Sequence, residues 1–177
     1  MVRALGSGAE WDVTFRPFSL NQVHVEEGEP PMWERPQDGS GLLALQYGVA
    51  CRDSQPEVFP DVHLELFMAR HERGQKIKDL DVVLEALAKG GADADALTAE
   101  VESGRPLKAI ATDHEESVEK WGVFGVPTFI SGDQAVFVRY MNRNGRGLDP
   151  KEGVERVLDW LENWPDINEF KRPRIPR

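Results

Sequence analysis

The sequence predicts an α/β fold: a small sheet layered with helices and interrupted by an all-helical insert. Three observations carry that expectation. Residues 11–16 alternate apolar and polar with the period of a strand, and residues 40–121 hold apolar positions at helical spacing. Residues 127–138 read as a hairpin, with one amphipathic helix after it.

Taken in order, Met1 to Leu5 reads as the last turn of a helix, ended by Gly6 and Gly8. Trp11, Val13 and Phe15 then alternate with Asp12, Thr14 and Arg16, the pattern of a half-buried strand, and Pro17 limits further pairing. Val23 to Gly39 is polar and rich in proline and glycine, so a long loop is expected, with Trp33 as the anchor that packs it down. Ser40 is the candidate cap of a helix carrying Leu42, Leu43, Leu45, Tyr47 and Val49. A second helix carries Val62, Leu64, Leu66, Phe67 and Met68 and stops near Gly74. Asp79 opens a third, with Leu80, Val83, Leu84 and Leu87 on one stripe, closed by Gly90 and Gly91. Ala94 to Glu102 is a short fourth helix. Pro106 suits the first turn of a fifth, which runs to about Lys120.

Beyond residue 121 the period switches. Pro127 to Ile130 and Ala135 to Val138 flank the turn Ser131-Gly132-Asp133-Gln134, a hairpin signature. Asn142 to Gly147 is a flexible loop in this reading. A last helix starts near Pro150, with Val154, Val157, Leu158 and Leu161 on one face. The stretch from Trp164 to Arg177 is expected to be extended.

Composition narrows the function classes. The 177 residues carry 31 acids against 21 Lys and Arg, a formal net charge of -10. That balance argues against nucleic acid or an anionic membrane as partner. Mean hydropathy is -0.47, and no apolar run approaches the roughly 20 residues a membrane helix needs. No secretory signal is visible at the N-terminus, so a cytoplasmic location is expected. The single cysteine, Cys51, excludes an internal disulfide and any two-cysteine redox motif.

The most informative stretch is Gly122-Val123-Phe124-Gly125-Val126-Pro127-Thr128-Phe129. Proline at the start of a sheet strand needs a reason, because it cannot donate to the ladder. A cis Val126–Pro127 bond is one: it turns the Val126 N–H and C=O outward, where they can pair with the backbone of a bound thiol peptide. A trans proline that simply opens an edge strand is the other.

With His114-Glu115-Glu116-Ser117-Val118 on the preceding helix, this stretch resembles the cis-proline region of the DsbA-like branch of the thioredoxin superfamily. That branch includes 2-hydroxychromene-2-carboxylate isomerases and kappa-class glutathione transferases. Phe15-Arg16-Pro17-Phe18-Ser19-Leu20, followed by Gly28-Glu29-Pro30-Pro31, is similar to the family's second strand and the loop after it. Leu66-Phe67-Met68-Ala69-Arg70 with Asp79, Val83 and Leu84 resembles its inserted helical domain. Trp164 to Lys171 resembles the C-terminus of actinobacterial members.

The resemblance implies a thioredoxin-like domain over 1–39 and 122–177, with a helical subdomain inserted at 40–121. The family's first strand and its Cys-Pro-x-x motif (or a serine variant) have no counterpart in this sequence. Roughly 20 residues would separate it from a complete member, counting a strand, a turn and most of a helix.

In complete members the resemblance implies thiol–disulfide exchange: a low-pKa cysteine at a helix N-terminus attacks while the cis-proline strand holds the partner. Carried over residue by residue, Val126, Pro127 and Thr128 take the substrate-binding role, and no residue takes the catalytic one. The expectation is an oxidoreductase-like protein that is inactive as this chain. Two alternatives stay open: an isomerase or transferase using glutathione or mycothiol as thiol cofactor, and a non-catalytic thioredoxin-like binding module. The expected partner is a thiol or disulfide, either a small molecule or a peptide, and a homodimer is left open.

Cys51 falls at the end of its helix, where the dipole disfavours a thiolate, so a structural cysteine is expected. His63 and His71 lie eight apart, too far to chelate one ion without other ligands, and no metal site is expected. Arg139 either meets the carboxylate of a thiol cofactor or is a plain surface arginine. The basic residues Lys171 to Arg177 either hold an acidic partner or pack back on their own domain.

Overall fold

The computed structural model describes residues 1–139, 149–167 and 169. Its contacts divide the chain into two compact units, Met1–Thr14 with Val118–Arg177 and Phe15–Ser117. The expected loop over 142–147 and the basic residues 171–177 lie outside the described residues.

The unit Phe15–Ser117 is helical: α2 (Leu20–Val23), α3 (Leu42–Ser54), α4 (Phe59–His71), α5 (Leu80–Lys89), α6 (Ala94–Glu102) and most of α7 (Arg105–Trp121). Helix α3 packs against α4, α5 and α6 and buries residues on almost every side, among them Leu42, Ala44, Tyr47, Val49 and Cys51. That all-round burial explains why its apolar residues form no one-sided stripe. Helix α5 is amphipathic as expected, but the buried positions are Val83, Ala86 and Leu87, while Leu80 is exposed.

Residues 15–39, assigned above to the thioredoxin-like part, pack with the helices. Phe15 sits edge-on to Phe59 at 5.4 Å, and Met32 clusters with Leu42, Val49 and Ile110. The loop they belong to is tighter than its composition suggests. Ser19 caps α2 by accepting from the Gln22 N–H, and two 3-10 turns follow at Met32–Glu34 and Pro36–Asp38. Met32 is the more deeply buried residue, and Trp33 is half-buried with its ring edge-on to His114 at 5.6 Å. Met32's own N–H donates to the Gln22 side chain at 2.8 Å, so a flexible thioether fills the core gap while the larger indole stays half-buried.

Capping follows the expected residues only in part. Asp93 accepts from the Ala96 N–H to start α6. Asp79 precedes α5 without a side-chain bond, and the N-cap of α3 is Gly41 rather than Ser40. The Ser40 hydroxyl instead meets the Asn21 side chain.

The other unit holds α1 (Val2–Gly6), the end of α7, the strands β1 (Thr128–Ser131) and β2 (Gln134–Phe137), and α8 (Pro150–Asn163). β1 and β2 pair antiparallel, with Thr128 opposite Phe137 and Ser131 opposite Gln134. The two-residue turn between them begins at Gly132 with φ +60. No non-glycine residue has positive φ among the described residues. That combination fits a type II′ turn, which needs φ > 0 at its first central position only. Asp149 caps α8, accepting from the N–H groups of Lys151 and Glu152.

Residues 11–16, expected as a strand, are extended but join no ladder among the described residues. Their alternation is nonetheless real: Trp11, Val13 and Phe15 are half-buried, while Asp12, Thr14 and Arg16 are exposed. Trp11 packs with Phe129 and Leu158 in the cluster around Ala4, Ala9 and Val154. One-sided side-chain burial produces the period without backbone pairing.

Gly90 tests the close approach of α4 and α5. A Cβ there would lie 2.5 Å from Val62 Cγ2 and 2.7 Å from the Val62 Cα and N. Gly48, inside α3, has no atom within 4 Å of such a Cβ. In chemical denaturation, Gly90→Ala is expected to lower stability by about 1–3 kcal/mol. Gly48→Ala is expected to raise it by about 0.5–1 kcal/mol. Equal effects of the two would contradict this packing.

Candidate functional site

The end of α7 sets up the hairpin. Gly122 leaves the helix at φ +64, and the Trp121 indole N–H donates to the Gly132 carbonyl at 3.3 Å, which ties the helix end to the hairpin turn. Val123 turns inward and is buried, whereas Phe124 points out and is 65% exposed. Gly125 is buried against Phe137: a Cβ there would stand 3.1 Å from the ring, which would have to shift by a few tenths of an ångström. The Thr128 hydroxyl donates to the Gly125 carbonyl at 2.7 Å and closes the loop from 125 to 128. The Val126–Pro127 peptide bond is cis.

The ladder's hydrogen-bond parity decides which backbone groups remain open. The Val138 N–H donates to the Pro127 carbonyl at 3.0 Å, so the pairing runs one step past Thr128 and Phe137. In an antiparallel pair the inward-bonded residues alternate. Pro127, Phe129 and Ser131 therefore point their polar groups at β2, while Thr128 and Ile130 point theirs away. Val126 is 42% exposed, and no hydrogen bond among the described residues engages its N–H or C=O. Of the three residues expected to bind substrate, Thr128 opens β1, and Val126 and Pro127 form the exposed bend that leads into it. Phe124 and Gly125 lie within the Gly122–Phe129 motif, but the sequence assigns neither a role of its own. Their roles depend on Phe137, a neighbour that only the hairpin register brings close.

The other chemistry-bearing groups belong to the helical unit. Cys51 is fully buried, its thiol donates to the Gln55 carbonyl at 3.8 Å, and burial followed by the Glu57 charge pushes its pKa up to about 11. A reactive thiol needs the opposite environment. His114 is buried, with its Nδ1 accepting from the Ser19 N–H at 3.3 Å and its ring 4.2 Å from Phe18. Burial holds His114 below the usual imidazole range, and likewise His63, which is flanked by Phe15, Phe59 and Phe67. Arg16 bridges Glu116 and Asp113, Arg52 bridges Asp113 and Asp53, and Arg105 bridges Asp53 and Glu100. This chain of alternating charges, together with Arg52 donating to the Phe15 carbonyl at 2.6 Å, fastens residues 15–16 to α3 and α7.

Among the described residues no three His, Cys, Asp or Glu side chains gather as a metal site, and no helix is long and apolar enough to cross a membrane. The sequence matches the family model of the DSBA-like thioredoxin domain over residues 19–142, more than half of the chain. No curated protein gives a significant match.

Two titrations follow. Cys51 is expected to resist maleimide labelling at neutral pH in the native protein and to label fully in denaturant. Its folded pKa of about 11 lies above the ordinary 9.0. Its contribution to stability is therefore complete below pH 9.0 and is lost as pH rises toward 11, and Cys51→Ala should remove that part of the alkaline loss. The histidines act with the opposite sign. Both folded pKa values lie below the ordinary 6.5. The unfolded chain therefore binds protons first, and stability falls as pH drops below 6.5. Denaturation midpoints at about pH 7 and pH 5 should differ less in His114→Gln than in the parent, and an unchanged difference would contradict the burial of a neutral ring.

Proposed function

This chain belongs to the DSBA-like thioredoxin domain family, and from that we propose that it is a thiol–disulfide oxidoreductase-like protein whose hairpin edge holds the partner. One observation carries the reading: Val126 is exposed in the bend that leads into β1, and both its backbone polar groups are unengaged among the described residues. A partner's extended backbone can add there as a further strand, so the affinity comes from main-chain bonds whatever the side chains. Pro127 and Thr128 complete the holding element, with the Thr128 hydroxyl fixing the loop beneath it.

Exchange itself requires a thiolate that attacks one sulfur of a disulfide while the other leaves. Cys51 is buried with a raised pKa, so it is excluded from that role. The 177-residue chain is therefore expected to bind a thiol or disulfide partner without turning it over.

Two measurements test this. Titrating the labelled protein with a disulfide-linked peptide should move the Val126 and Thr128 amide resonances before others, and movement confined to the helical unit would overturn the reading. Insulin disulfide reduction should stay at the level of the added reductant; activity that survives Cys51→Ser would refute the inactivity of the chain, and activity that is lost in Cys51→Ser would refute the assignment of an idle thiol. A rise in Tm with glutathione but not with peptides would favour the isomerase or transferase branch.

A further inference from the structure

Three side chains beside Val126 are left unused by backbone binding alone. Phe124 is the most exposed large apolar side chain among the described residues, and its ring lies 5.0 Å from that of Phe137. The Arg139 guanidinium carbon lies 6.0 Å from the centroid of the same Phe137 ring. Arg139 is exposed and forms no ion pair among the described residues. Register explains the grouping. The Val138–Pro127 bond carries the pairing one step beyond β1 and β2, so Arg139 follows directly on the last bonded residue of one strand and Val126 directly precedes that of the other. Gly125 lets the Phe137 ring lie close, since a Cβ there would press on it at 3.1 Å.

A single exposed phenylalanine is ordinary on a protein surface. Here an exposed ring, a second ring beneath it, an unpaired cation and an open backbone edge meet within one turn of chain. We propose that Phe124, Phe137 and Arg139 form a side-chain subsite that selects thiol or disulfide peptides carrying an aromatic residue with a free carboxylate next to the cysteine. The proposal rests on the backbone-binding reading and names the ligand class for that same edge. Phe124 stands two residues before Val126 at the start of the bend, and both its ring and the Arg139 guanidinium lie against the Phe137 ring. A peptide residue adjacent to the one paired with Val126 reaches both. Its ring stacks on Phe124, and its carboxylate meets the guanidinium, which presents a fork of donors to it.

Four peptides test the subsite: acetyl-S-methylcysteine followed by phenylalanine or alanine, each as free acid and as amide. The methyl group blocks thiol chemistry, so only binding is read. The Val126 amide shift reports backbone binding, and the ratios of Kd report the subsite. Phenylalanine is expected to bind about 2–10-fold tighter than alanine. The acid is expected to bind about 2–5-fold tighter than the amide, with a preference that shrinks as salt is added. Phe124→Ala should bring the first ratio close to one, and Arg139→Gln the second. Equal affinities for all four peptides, with Val126 still shifting, would overturn the subsite and leave the backbone reading standing. No shift at Val126 with any peptide would overturn both. A preference that survives both substitutions would place recognition elsewhere and overturn the subsite.

Discussion

A hairpin of two four-residue strands does not hold itself in water, because so few ladder bonds cannot offset the entropy of ordering them. Helix α8 supplies what is missing. It packs against both β1 and β2, and Val154 and Leu158 gather Phe129, Trp11 and α1 into one apolar cluster. Everything at the candidate site hangs from this layer: the parity that leaves Thr128 and Ile130 open, the placement of Phe137 and the loop over it. An edge meant for binding has to keep its shape while unpaired, and packing on one face gives that rigidity without occupying the edge.

The helical unit shows how polar chemistry is silenced by burial. Cys51, His63 and His114 are the residue types most often found reacting, yet each is held in its neutral form by its surroundings. His114 instead serves as an acceptor for a backbone N–H, the structural use of an unprotonated ring nitrogen. The nearby charges are spent on one another through Arg16, Arg52 and Arg105. Such partly exposed bridges add little stability one at a time, but linked in series they fix the direction in which residues 15–16 enter the unit.

Much of this was legible from local signals. The helices α4 to α8 and the hairpin follow from apolar spacing, glycine stops and the two-residue turn, because those features act within a few residues of chain. What failed depends on distant neighbours. The alternation of residues 11–16 reports that one side is buried but cannot say whether a ladder partner lies alongside. Trp33 was the expected anchor on size, and Met32 is the more deeply buried of the two because a flexible side chain fits the gap beside Leu42 and Ile110. Gly90 and Gly125 look like ordinary breakers in the sequence; each lies against one ring or one backbone brought close by the fold. At the site, the positions of Val126, Pro127 and Thr128 were readable, whereas the setting of Phe124 and Arg139 was not.

The open edge of β1 has a consequence for colloidal behaviour. Proteins commonly guard an unpaired edge with a lysine, a bulge or a covering loop, since a bare strand can template the addition of another copy. Thr128-Phe129-Ile130-Ser131 carries no charge at all, and a guard placed there would obstruct a visiting strand as effectively as an aggregating one. Protection against self-association must then act at longer range. The excess of acids, 31 against 21 bases, makes identical copies repel one another before their edges meet. Repulsion of this kind belongs to the whole surface and leaves the strand itself uncharged.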